Sequence, residues 1–108
     1  MSSSVKVVQP SGILDGTTAN HLRREINDVV ESGAEIILVD FQQVTFMNST
    51  GLGALVSTLK TVKSAGKELF ICSLTEQVKL IFELTKMDRV FQTFANREEF
   101  EQKIAMVG

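Results

Sequence analysis

Apolar residues follow two rhythms along this chain, a short β-like run and a helical spacing of three and four. Val5, Val7 and Val8, then Ile13 and Leu14, are two short apolar stretches separated by Gln9-Pro10-Ser11-Gly12, where Pro and Gly favour a turn. They predict two strands meeting in a Pro-containing hairpin at a sheet edge. From Thr17 to Glu31 the apolar positions Ala19, Leu22, Ile26, Val29 and Val30 are helically spaced, and Gly33 stands where a helix stops. Ile36-Ile37-Leu38-Val39-Asp40-Phe41 is apolar on both faces, the mark of a central strand in a parallel sheet. Gln42 to Asn48 reads as a connecting loop holding Val44, Phe46 and Met47.

Leu52, Leu55, Val56, Leu59 and Val62 then recur at helical spacing, predicting a second helix from near Ser49 to Ala65-Gly66. Lys60 and Lys63 fall in its last turns, where the macrodipole favours cations. Leu69-Phe70-Ile71-Cys72 predicts a buried strand. Thr75 can cap a third helix, with Val78, Ile81 and Phe82 on one face and Leu80 and Leu84 pointing elsewhere. Val90 to Phe94 reads as a last short strand. Asn96 with Glu99 opens a final helix through Phe100, Ile104 and Val107 by a variant of the capping box. The order is ββαβαβαβα, an α/β single domain over residues 1–108 with a mixed, mostly parallel sheet and about four helices.

Composition narrows the function. Eleven Lys plus Arg against thirteen Asp plus Glu give a formal net charge of -2, no basic surplus for a nucleic-acid backbone. One Cys, Cys72, excludes an intrachain disulfide, and one His, His21, leaves a zinc site short of ligands. Neither a signal-peptide pattern nor a membrane-length apolar run is present. A cytoplasmic protein without metal or cofactor and without membrane insertion is expected.

Enzyme motifs fit poorly. Gly51-Leu52-Gly53 matches only the start of a dinucleotide fingerprint, because the third glycine position is Val56. A nucleophile elbow around Ser49 would need Gly at Met47. His21 beside Leu22, and Cys72 ending an apolar strand, read as structural residues. Asn48-Ser49-Thr50 at the mouth of a helix reads first as an N-cap. Two glycines in the first turns, each costing about 1 kcal/mol relative to Ala, suggest in addition that another surface comes close to the backbone there.

Three segments together resemble the STAS domains, and among them the small bacterial anti-sigma factor antagonists. They are Gly12-Ile13-Leu14-Asp15 with Ala19, Leu38-Val39-Asp40-Phe41 with Val44, and Phe46-Met47-Asn48-Ser49-Thr50-Gly51-Leu52-Gly53. The resemblance spans nearly the whole chain. It implies a non-enzymatic switch in which Ser49 is phosphorylated by a partner that is both an anti-sigma factor and an ATP-dependent serine kinase. A metal-dependent serine phosphatase reverses the modification, and only the unmodified form binds the partner. The implied contact residues are Asp15, Met47, Asn48, Ser49, Thr50, Gly51 and Leu52.

Asp15 matches the strand-end aspartate of that family. Asn48 departs from it, standing where the family most often has Asp. Leu52 with Met47 or Phe46 is the expected apolar anchor, although Phe46 reads rather as core. A phosphate at Ser49 is expected to leave the fold intact and to release the partner by bulk and like-charge repulsion. Two other readings remain open: a STAS scaffold that recruits a partner without phosphorylation, and a small-molecule domain using the Ser49 helix N-terminus as an anion site.

Overall fold

A computed structural model describes residues 5–105. Its elements in order are β1 (Val5–Val8), β2 (Ser11–Leu14), α1 (Gly16–Glu31), β3 (Ile36–Asp40), β4 (Gln43–Met47), α2 (Ser49–Ser64), β5 (Glu68–Cys72), α3 (Glu76–Leu84), β6 (Thr93–Phe94) and α4 (Arg97–Phe100). A 3-10 turn at Met87–Arg89 precedes β6, and a π-helical segment, Glu101–Ala105, continues α4. Val107, expected in the last helix, lies outside the described residues.

β3 is central, between β1 and β5, in a sheet ordered β1-β3-β5-β6. All five of its residues are buried, as its two-sided apolar pattern predicts. Its side chains alternate between two cores. Ile37 and Val39, with Leu69 and Ile71 of β5, face α1, α2 and α3. Ile36 and Leu38, with Phe70 and Cys72, pack under Phe94 and under Phe100 of α4, and Phe70, Phe94 and Phe100 meet in an aromatic cluster.

Asp40, at the end of β3, is the exception in polarity. It is buried, and its carboxylate accepts from Arg97 Nε at 2.8 Å, from the Gln42 amide N–H at 2.9 Å and from Gln9 Nε2 at 3.3 Å. A buried carboxylate must be paired or hydrogen-bonded. Asp40 is both, and so ties α4 to the sheet.

The α/β class is as expected, but four local expectations change. β1 and β2 do not form a hairpin. β1 pairs in parallel with β3, and β2 pairs in parallel with β4. Gln9-Pro10 is a jog between two strands running the same way, matched on the neighbouring chain segment by the turn in which the Val44 N–H donates to the Phe41 carbonyl at 2.9 Å.

The segment expected to be a loop, Gln42 to Asn48, contains β4. Its pattern was hidden by a bulge: Gly12 pairs with Val44 and Ile13 pairs with Phe46, so Thr45 is the extra residue. A bulge shifts side-chain parity by one. Val44 therefore points inward, Phe46 outward and Met47 inward again. Gly12, at φ 75°, supplies the backbone freedom at this irregularity.

The last strand is shorter than Val90 to Phe94, being two residues long with Val90 exposed. Thr75 does stand at the N-cap of α3, but its hydroxyl donates to the Val44 carbonyl at 2.9 Å instead of capping the helix.

Candidate functional site

The site is the junction where β2 and β4 both end and α1 and α2 both begin. Asn48 leaves β4 in an extended conformation, and its side-chain Oδ1 accepts from the Gly51 N–H at 2.8 Å while its carbonyl accepts from the Leu52 N–H at 2.9 Å. This is a complete N-cap for α2. Asp15 does the same for α1 in a full capping box: its Oδ1 accepts from the Thr18 N–H at 3.0 Å, and its own N–H donates to Thr18 Oγ1 at 2.8 Å. The Thr18 hydroxyl also donates to the Ile13 carbonyl at 2.8 Å. Hydrogen bonds from the backbone and then the side chain of Thr18 hold the Asp15 carboxyl below its ordinary pKa.

The two helix starts are in contact. The Asn48 N–H donates to the Leu14 carbonyl at 3.3 Å. A Cβ placed on Gly51 would collide with that same carbonyl, and one placed on Gly16 would stand 2.9 Å from Thr50 Cγ2. Gly51 is therefore the glycine that a close approach requires. Gly53 is not, since nothing lies within 4 Å of the Cβ it lacks and it faces solvent. The surface approaching Gly51 belongs to the chain itself.

Ser49 and Thr50, the first two residues of α2, are exposed, as is Asn48. Two positive helix ends side by side favour an anion at this rim, and no acidic residue stands in the first turn of α2. The structure thus brings Asp15, Asn48, Ser49 and Thr50 together at the surface. It places Gly51 in the interior and Leu52 half-buried against the core.

Met47 is a correction. Expected as an apolar contact, it is only 2% exposed and belongs to the core. Phe46, expected in the core, is 45% exposed, and its partner in the ladder, Ile13, is 55% exposed. The Thr45 bulge explains the exchange. Ile13 was missed as a surface residue because in a short strand one apolar position gives no indication of which face is covered.

His21 is exposed on α1. Cys72 is buried at the end of β5, where desolvation pushes its thiol pKa up and keeps it an inert packing group. Among the described residues no group of three His, Cys, Asp or Glu could hold a metal ion, and no helix is long and apolar enough to cross a membrane.

The class the fold defines is a small α/β domain in which β4, paired in parallel with β2, runs through a bulge into the capped start of α2, where Ser49 is exposed. The family model described as STAS domain matches residues 2–100, and the chain belongs to that family. It is 35% identical over 78 residues to a Staphylococcus aureus protein named anti-sigma-B factor antagonist, covering 72% of each chain. Its fold is that of an anti-sigma factor antagonist from Mycobacterium paratuberculosis, at 24% identity and TM-score 0.79 over 94% of this chain and 86% of that one. It is also that of the anti-sigma factor antagonist SpoIIAA in its unphosphorylated form, at 16% identity and TM-score 0.73 over 94% of this chain and 90% of that one.

Proposed function

We propose that this protein is an anti-sigma factor antagonist that works by partner switching in the bacterial cytoplasm. Unmodified, it binds an anti-sigma factor that is also a serine kinase. The kinase transfers the γ-phosphoryl group of ATP to Ser49 Oγ, ADP leaves, and the hydroxyl proton is released. The phosphorylated form dissociates, and a metal-dependent serine phosphatase restores the hydroxyl.

The observation that carries this reading is the placement of Ser49: exposed, first in α2, directly after the Asn48 cap, in a chain 35% identical to a protein named as an antagonist of this kind. Such a hydroxyl is open to a kinase without any part of the fold having to move. Phosphate at that position meets a helix N-terminus, which accommodates an anion, so the modified domain stays folded. The switch then lies in the interface and not in the fold.

The test couples two measurements. Wild-type protein immobilised with ADP should retain a kinase from extracts of the source cells, and Ser49→Asp should not. Intact mass after incubation with that kinase and ATP should rise by one phosphate on wild type and stay unchanged on Ser49→Ala. Retention of the kinase by both proteins, with no mass change, would instead identify a scaffold that recruits its partner without phosphorylation.

A further inference from the structure

Charged residues make up 22% of the chain, yet from Phe41 to Leu59 none occurs, and from Val7 to Leu22 the single formal charge is Asp15. Those two stretches are neighbours in the fold. They contain β2 and β4, paired side by side, and the first turns of α1 and α2 that leave them. The one anion among them is held by the α1 capping box. The two paired stretches thus carry no free charge of their own, and on them Ile13 and Phe46 stand in register on adjacent strands, both about half exposed. Phe46 is three residues before Ser49, near the end of the strand that leads into the helix opened by the serine.

The other exposed apolar pair differs in its surroundings. Leu80 and Leu84, on α3, sit among Glu76, Lys79 and Glu83, as surface leucines commonly do. Depletion of charge together with an aromatic residue is what marks the centre of a protein interface.

We propose that the kinase partner seats an uncharged, apolar surface on the Ile13–Phe46 pair and closes over Ser49 at its edge, so that phosphate releases it by the desolvation of a charge within a neutral contact. This rests on the partner-switching reading and specifies the partner's chemistry and the way the site is regulated. It replaces like-charge repulsion as the cause of release. A phosphate buried against apolar surface without a counter-charge loses its hydration and gains nothing in exchange, whereas repulsion between separated charges is screened by salt.

The probe is the kinase retained on the wild-type chain, and the readout is its equilibrium affinity with melting temperatures measured in parallel. Three proteins are compared: wild type, Ile13→Ser with Phe46→Ser, and Leu80→Ser with Leu84→Ser as the control patch. Affinity should fall by about tenfold or more in the first double variant and change by less than about twofold in the second. Between about 0.1 M and about 1 M salt, where the screening length falls from about 10 Å to about 3 Å, wild-type affinity should hold within about twofold. The penalty of Ser49 phosphorylation should persist over the same range.

Unchanged affinity in the Ile13/Phe46 variant with its fold intact would overturn the surface. Recovery of phosphorylated-protein binding at high salt would overturn the desolvation mechanism, which needs no variant to test. A wild-type dimer that becomes monomeric in that variant, with kinase binding unaltered, would assign the face to a second copy of the chain. If no kinase is retained at all, the partner-switching reading itself fails.

Discussion

The Cα of Gly51 lies against the carbonyl oxygen of Leu14, closely enough that any β-carbon at that position would overlap the oxygen. Through this contact the start of α2 rests on the end of β2, and Ser49 is held at the rim. Gly51→Ala should therefore destabilise the domain by about 3 kcal/mol or more, because backbone and not a flexible side chain must yield. Gly53→Ala should do the opposite, stabilising by about 0.5–1 kcal/mol, since its site is open and Ala is the better helix former. Chemical denaturation of both variants checks the pair. Equal effects would mean that the contact at Gly51 does not constrain the backbone.

Met47 and Phe46 should separate stability from binding. Met47→Ala empties a fully buried position and should cost about 2–5 kcal/mol. Phe46→Ala should cost about 1 kcal/mol, nearly half of that side chain being already in water. Urea midpoints of the two variants decide the matter. A Phe46 variant as unstable as the Met47 variant would show that Phe46 is a core residue.

Asn48→Asp keeps an oxygen in the place where Oδ1 now accepts the Gly51 N–H, and adds a negative charge at the positive end of α2. Stability should be equal or higher by about 0.3–1 kcal/mol. Asn48→Ala loses the cap and should cost about 1 kcal/mol. The same added charge stands beside the phosphoacceptor, so phosphorylation rate or partner affinity should change in the Asp variant at unchanged fold. Thermal melts and a timed kinase assay read the two effects separately.

The lowered pKa of Asp15 predicts an acid dependence with a definite sign. Its folded-state value lies below the unfolded one, so the stabilisation is fully present above the unfolded value near 4 and is lost as pH falls through the lower, folded value. The stability difference between wild type and Asp15→Asn should accordingly be constant near neutral pH and shrink only below about pH 4. A difference that instead declined between about pH 5 and about pH 8 would point to a different titrating group.

In the partner-switching reading, Ser49 and not Thr50 takes the phosphate. Thr50 is equally exposed, but its methyl group is packed over Gly16, while Ser49 precedes it at the mouth of the helix. Fragment spectra of the modified protein should carry the phosphate on Ser49. A phosphate retained in Ser49→Ala would reassign the acceptor.

Apart from β4, which reads as a loop, the order of strands and helices was legible from residue pattern, because periodicity reports which positions are buried. The continuous apolar run of β3 revealed a strand covered on both sides, and Asn48 and Asp15 were readable as residues at helix starts, since a cap depends only on a residue and its three successors. Whole-chain pairing was less legible. Pro10 and Gly12 suggested a hairpin, whereas parallel partners distant in sequence took β1 and β2 into separate ladders. The direction in which a strand pairs depends on residues that its own segment does not contain.

Which apolar side chains at the site face water was decided only by the tertiary structure. Phe46 and Met47 are adjacent and similar in hydrophobicity, so composition does not order them, and an alternation counted from Val44 would bury Phe46 and expose Met47. The extra residue, Thr45, exists as a bulge only because β2 offers one residue opposite two. That pairing reverses the parity of everything after it. Phe46 is turned outward beside Ile13 and Met47 into the core, by a register that neither strand could specify without the other.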